Sequence, residues 1–250
     1  MTYCVAIRVD AGLVLAADTR TSAAFDDIRT HTKLSTFEYP GERVFALLSA
    51  GNLGTTQNVL ARIARDADTP GATASLRSAA DLFEAADYLG RALVEAQQKA
   101  NGAAADGVNL EATLIFAGQI GTGATGLFLV YPQGNWIAAS PETPFLQSGE
   151  LKYGKPILDR ILRPETSLED AARCALVSMD AAIRSNLSVG PPIDLALIRD
   201  GDLRLSHRLR LGQDSPFYVE FRETWSTELA AAVRGLPPFE WEAPRAPPAP

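Results

Sequence analysis

Runs of apolar residues bounded by turn residues limit what this chain can fold into. They include Thr2 to Val9, Gly12 to Asp18, Arg43 to Ala50, Ala112 to Gly118, Gly126 to Tyr131 and Ile193 to Ile198. The first alternates and is rich in β-branched residues. The others are nearly continuous, which is the pattern of strands buried on both faces. Asp10-Ala11-Gly12 supplies turn chemistry, so the first two runs form a hairpin. Further strands are expected at Lys33 to Glu38, Trp136 to Ala139, Leu203 to Ser206 and Phe217 to Phe221.

Helical periodicity fills the gaps. Gly51 to Asp66 and Ser75 to Lys99 read as a helix pair, the second with Leu82, Ala86, Leu89, Leu93 and Ala96 on one face. A second pair starts near Pro156 and at Thr166, where Thr166 and Glu169 make a capping box. The loop Asn101 to Asn109 is flexible by composition. Strands, two helices, strands, two helices, strands is the order of an α+β fold. It predicts a four-layer αββα sandwich, two antiparallel sheets flanked by helix pairs. Residues 1–235 are expected to form one domain. Residues 236–250 carry six prolines and are expected to be an extended tail.

Composition then narrows the chemistry. The chain is 46% hydrophobic, enough for a sizeable core, and its net charge is −7. An acidic chain lacks the basic face of a nucleic-acid binder, so no nucleic-acid partner is expected. The two cysteines, Cys4 and Cys174, make neither a disulfide framework nor a zinc site. With two histidines, His31 and His207, a His-based triad or a multi-His centre has little to work with. No metal or organic cofactor is expected. No signal peptide and no run of 18 or more apolar residues is read, so a cytoplasmic protein away from membranes is expected.

Thr2 offers a catalytic solution without histidine. Trimming of Met1 would leave its hydroxyl and a free α-amine on one Cα, and such an amine has a pKa of about 7.7–8.0, near the operating range of a base. A threonine activated by its own N-terminal amine is a known nucleophile. The hairpin would set Asp18 beside Thr2, and Lys33 lies where the chain returns. A lysine there would stabilise the alkoxide, and an aspartate would hold that lysine charged. Gly51, between a buried strand and a helix, could aim its N–H at an oxyanion. Each has an ordinary alternative: a common second residue, a turn aspartate, an edge lysine, a helix-start glycine.

Taken together, these stretches resemble the proteasome β-subunits and bacterial proteasome-like peptidases of the N-terminal nucleophile (Ntn) hydrolases. The resembling segments are Thr2 to Ala6, Ala17 to Arg20, Lys33-Leu34, Ser49 to Gly54, Thr113 to Gly118, Ser148-Gly149 and Ser185 to Gly190. TYCVAIRVD, ADTRTSA, RSNLSVG and PIDLALI are most similar to the Anbu (ancestral β-subunit) group.

The resemblance implies an Ntn hydrolase fold and a threonine peptidase. In it, Thr2 is nucleophile and base, Asp18 and Lys33 the charged pair, and Gly51 the oxyanion glycine. Ser148 would help hold the amine, and Ser188 would lie on the closing turn. It also implies a large homo-oligomer, a closed ring or an open spiral, a peptide or unfolded-protein substrate, and an unidentified unfoldase or regulator. Two departures stand out. Lys33 is one residue closer to the threonine than in the proteasome pattern. Ser185 or Asn186 stands where an aspartate precedes a Ser-x-Gly-type turn. A weakly active assembly protein or a small-molecule amidohydrolase are the alternatives. Of the remaining candidates, Cys4 reads as a core thiol and His31 as a loop residue near Lys33. Asp26-Asp27 is a weak cation cluster. Glu169-Asp170 and Asp200/Asp202 are explained by capping and turns.

Overall fold

The computed structural model describes residues 2–24, 27–69, 74–101 and 109–242. The first part of the chain comprises β1 (Tyr3–Val9), β2 (Gly12–Asp18), β3 (Arg20–Ala24), β4 (Asp27–Thr30), β5 (Leu34–Tyr39) and β6 (Arg43–Gly51), followed by α1 (Leu53–Asp68) and α2 (Leu82–Asn101). Then come β7 (Ala112–Ile120), β8 (Gly126–Val130), β9 (Trp136–Ala138) and β10 (Phe145–Gly149), with α3 (Lys155–Ile161) and α4 (Leu168–Ser185). β11 (Ile193–Arg199), β12 (His207–Leu211) and α5 (Pro216–Arg234) complete the order. Compact units divide at Gly212 and Gln213.

The first unit holds two five-stranded antiparallel sheets, ordered β10-β1-β2-β11-β12 and β5-β6-β7-β8-β9, and the small β3-β4 hairpin. Between the sheets lies one core. Cys4, Ala6, Leu13, Leu15 and Ala17 of the first sheet meet Val44, Ala46, Leu48, Ile115 and Ala117 of the second. The second core joins the outer face of the second sheet to α1 and α2, with Phe45, Phe116 and Phe128 under Ile63, Leu89 and Leu93. Ala86, Leu89, Leu93 and Ala96 all lie in that core, as the helical spacing requires. On the other side α4 covers β1 and β2, burying Leu168, Ala172, Ala175 and Met179. The architecture is the expected αββα sandwich. The central strands β1, β2, β6, β7 and β11 are buried on both faces, which is why they read as unbroken apolar runs, while the outer strands β5, β9 and β12 are partly exposed.

Several local expectations are corrected. Leu203 has a positive φ of 49°, so the strand after β11 starts only at His207. Phe217 to Phe221 is helical, because Ser215-Pro216 starts α5 with proline in its first turn. The cap of α4 is Ser167, whose hydroxyl accepts from the Asp170 N–H, while Thr166 Oγ1 accepts from the Arg163 N–H. α2 begins at Leu82, and Ser75 to Ser78 closes a hydroxyl-bonded turn before it. Residues 102–108, most of the expected flexible loop, lie outside the described residues, as do 243–250 of the tail. In the second unit, α5 ends at Gly235, and Glu240–Glu242 forms a 3-10 turn beside the stacked rings of Phe239 and Trp241.

Candidate active site

The β1-β2 hairpin brings Asp18 to the start of β1. The Tyr3 N–H donates to Asp18 Oδ1 at 3.0 Å, and the Gly190 N–H donates to Oδ2 at 3.3 Å. Lys33, just before β5, donates from Nζ to Asp18 Oδ1 at 2.6 Å and to the Arg20 carbonyl at 2.7 Å. Asp18 is fully buried and Lys33 is 5% exposed. Burial pushes the Asp18 carboxyl above its ordinary value, while the Lys33 ammonium and the two N–H donors pull it back. Two of the three ammonium N–H donors are so committed, which leaves one for another acceptor.

Thr2 enters the same place from the other side. Its carbonyl accepts from the Glu150 N–H at 2.7 Å, one residue beyond the pairing of Tyr3 with Gly149. A cavity of about 340 Å³ is lined by Thr2, Lys33, Gly51, Gly149, His31 and Arg20, among others. The structure thus brings Thr2, Asp18, Lys33 and Gly51 together. Gly51 is the last residue of β6, not the first of a helix; Asn52 caps α1 by accepting from the Thr55 N–H. Its φ is +105°, and a Cβ there would stand 2.5 Å from the Glu111 carbonyl oxygen, so glycine is required.

Ser148 lies opposite Cys4 in the β1-β10 ladder, and its hydroxyl is paired with Thr113 Oγ1. The Ser188 N–H donates to Asn186 Oδ1, and its hydroxyl makes no hydrogen bond among the described residues. Asn186 is the C-cap of α4 and donates from Nδ2 to Glu150 Oε2 at 3.0 Å; Ser185 is exposed at the helix end. Cys4 is a buried core thiol, its pKa pushed up to about 12, chiefly by burial. His31 lies on the cavity wall, its pKa lowered first by desolvation and then by Lys33. Asp26 lies outside the described residues.

Glu150 and Tyr3 escaped the sequence reading. Glu150 is 5% exposed and accepts through Oε1 from the Lys152 N–H at 2.6 Å and through Oε2 from Asn186. Burial alone would raise its pKa, but the Lys152 N–H, the Asn186 amide and further backbone donors outweigh it and hold the carboxyl below its ordinary value. Tyr3 Oη meets Ser178 Oγ at 2.6 Å and accepts from Gln147 Nε2 at 2.7 Å, tying β1 to α4 and β10. An acidic residue beside the Ser148-Gly149 turn was the available signal for the first. A tyrosine in an otherwise aliphatic strand was the signal for the second.

Solved structures resemble the chain over nearly its whole length. Anbu from Hyphomicrobium sp. strain MC1, as a Gly-1 mutant, is 41% identical, with a TM-score of 0.88 over 96% of this chain and 100% of that one. Anbu (ancestral β-subunit) from Yersinia bercovieri is 39% identical, with a TM-score of 0.89 over 95% of this chain and 99% of that one. The chain belongs to the Anbu family. A third Anbu structure, a helical assembly of the complex from Pseudomonas aeruginosa, is 42% identical, with a TM-score of 0.90 over 97% of this chain and 100% of that one. No protein-family model and no curated protein matches the chain. As an Anbu protein it is a relative of the proteasome β-subunits, and its fold is the Ntn-type sandwich. No helix among the described residues is long and apolar enough to cross a membrane.

Proposed function

We propose that this Anbu protein is an N-terminal threonine hydrolase acting on peptide bonds after removal of Met1. The observation that carries the reading is the placement of Lys33 Nζ, held by Asp18 and the Arg20 carbonyl on the wall of the cavity that Thr2 and Gly51 share. In this reading Thr2 Oγ attacks the carbonyl carbon and its proton passes to the Thr2 amine. The Lys33 charge favours the alkoxide, and the Gly51 N–H receives the oxyanion. The C–N bond breaks as the Thr2 ammonium protonates the leaving amine. Water then attacks the acyl ester, releasing the acid and restoring Thr2.

Self-assembly belongs to the same proposal. The helical assembly of the P. aeruginosa relative favours an open spiral over a closed ring. The cytoplasm is its proposed place, supported by two free, buried cysteines. A second reading, an assembly protein of low turnover, is favoured by one observation. No aspartate stands at the Ser185-Asn186 position, and Asn186 is committed to Glu150 and to the Ser188 N–H.

Two measurements decide between them. The intact mass of the purified chain must show loss of Met1; retention removes the amine base. A β-lactone or epoxyketone probe must then label the assembled chain and not Thr2→Ala. A trimmed, assembled chain that resists labelling points to the assembly protein.

A further inference from the structure

A pair of cavities lies at the other end of β1, independent of Thr2. Arg8 is six residues beyond Thr2, about 20 Å along the strand. It shares the face of β1 that carries Cys4 and Ala6 into the core between the sheets. Instead of a core residue, that position is a cation. The Arg8 guanidinium has no hydrogen-bond or ion-pair partner among the described residues; only its backbone N–H is bonded, to the Pro144 carbonyl at 2.7 Å.

Arg8 stands where two cavities of differing chemistry meet. One, of about 430 Å³, is walled by Leu82, Phe83, Ile120, Leu127 and Phe128. The other, of about 390 Å³, is lined by Asp10, Thr122, Ser140, Asp200 and prolines. Arg8, Gly123, Ala124 and Thr125 line both. The loop between β7 and β8, Gly121-Thr122-Gly123-Ala124-Thr125, therefore faces the same junction. The N–H groups of Thr122, Ala124 and Thr125 make no hydrogen bond among the described residues. These amides and the guanidinium are hydrogen-bond donors that line the same cavities without a protein acceptor among the described residues, and an anion is the ligand that would use them.

None of the nearby carboxylates is ion-paired with Arg8 among the described residues. Asp81, at the rim of the apolar cavity, accepts from the Glu84 N–H at 2.8 Å at the start of α2. Asp200 accepts from Gln119 Nε2 at 3.1 Å. Asp10 is exposed and forms no ion pair with Arg8. Phe83 is 55% exposed, which leaves an aromatic edge open at the apolar cavity.

We propose that this junction binds the C-terminus of a partner polypeptide. The terminal carboxylate sits on Arg8 and the β7-β8 loop, and the last side chain, apolar, fills the cavity of Leu82, Phe83 and Phe128. The preceding residue, basic or polar, lies over Asp10 and Asp200. A simple fatty acid would use the apolar cavity and the cation but leave the acidic cavity idle. A chain terminus uses both cavities and the junction between them.

The test uses the full chain and a fluorescein-labelled pentapeptide ending in lysine–phenylalanine, as the free acid and as the C-terminal amide. Fluorescence polarisation should show the acid binding at least about tenfold more tightly than the amide, the size of one charge-assisted hydrogen bond. Arg8→Gln should bring acid and amide to the same affinity. Phe83→Ser should weaken both while keeping their ratio. Circular dichroism confirms that each variant is folded, and Phe83→Ser, on an exposed side chain, gives an independent readout should Arg8→Gln misfold. Equal affinities in the native chain, absence of binding by either peptide, or an acid preference that survives Arg8→Gln would overturn the proposal. Displacement of the peptide by decanoate at lower concentration than by unlabelled peptide would overturn the assignment to a polypeptide.

Discussion

The Lys33 ammonium stands 2.6 Å from Asp18 Oδ1, and the same carboxylate oxygen accepts the Tyr3 N–H. The first amide of β1 and the lysine are therefore fixed to one another through a single atom. Both charges are removed from water, so neither can lose its partner cheaply. Asp18→Ala leaves a buried ammonium unpaired and is expected to cost about 3–5 kcal/mol of stability. Urea denaturation measures it. Lys33→Met, which leaves Asp18 to accept from Tyr3 and Gly190 alone, should also destabilise and should abolish probe labelling. A Lys33→Met chain that labels at the native rate would remove Lys33 from the proposed chemistry.

Glycine at 51 and 149 is a requirement of the backbone. Gly149 has a φ of +85°, and a Cβ there would collide with the Thr2 carbonyl. Gly51→Ala and Gly149→Ala should each cost about 1–3 kcal/mol from strain alone. The two variants differ in what they move. Gly149→Ala pushes on Thr2, and Gly51→Ala pushes β6 from Glu111 and Ala112. Both should slow labelling by an active-site probe relative to their loss in urea midpoint, and an unchanged labelling rate in a folded Gly149→Ala chain would count against the placement of Thr2.

The sandwich was readable because its central strands are buried on both faces. A continuous apolar run as short as Arg43 to Ala50, bounded by turn residues, is the pattern of a strand covered on both sides. Asp18 was readable beside Thr2 because the β1-β2 hairpin fixes where its ends meet, whereas Lys33 and Gly51 joined them through the return of the chain and the family resemblance. What was missed has more than one physical cause. β3, β4 and β10 are short and carry polar residues, so their pairing is set by neighbours rather than by pattern. Glu150 acquires its role only when Asn186, far along the chain, is brought to it. Phe217 to Phe221 carries strand-forming residues, but Ser215-Pro216 ahead of it and the alanines behind it decide for a helix.

Tyr3 has a defined direction of hydrogen bonding. Ser178 Oγ donates to the Gly154 carbonyl at 2.9 Å, so it accepts from Tyr3 Oη, which in turn accepts from Gln147 Nε2. Burial pushes the phenol pKa upward, keeping it a neutral donor. Tyr3→Phe leaves the Gln147 amide with one donor unpaired and should cost about 1–3 kcal/mol. Because β1 carries Thr2 at its start, the same variant should loosen the N-terminus. Hydrogen exchange of the Tyr3 and Cys4 amides is expected to speed up more than exchange in the β6-β7 ladder, and uniform acceleration would reduce Tyr3 to general packing.

Glu150 ties acid stability to the N-terminal strand. Its folded carboxyl is held below the ordinary glutamate value by the Lys152 N–H, Asn186 and neighbouring donors, which outweigh its burial. A carboxylate with a depressed folded pKa binds fewer protons than its unfolded form. Its contribution is therefore complete above the unfolded value, about 4.3, and is lost as pH falls through the lower folded value. Glu150→Gln should lower stability at pH 7 by about 1–3 kcal/mol, since an amide cannot accept all the donors the carboxylate takes. The gap between native and variant urea midpoints should close as pH falls below about 4. A gap that stays constant down to pH 3 would show that the side chain acts through its shape and not its charge.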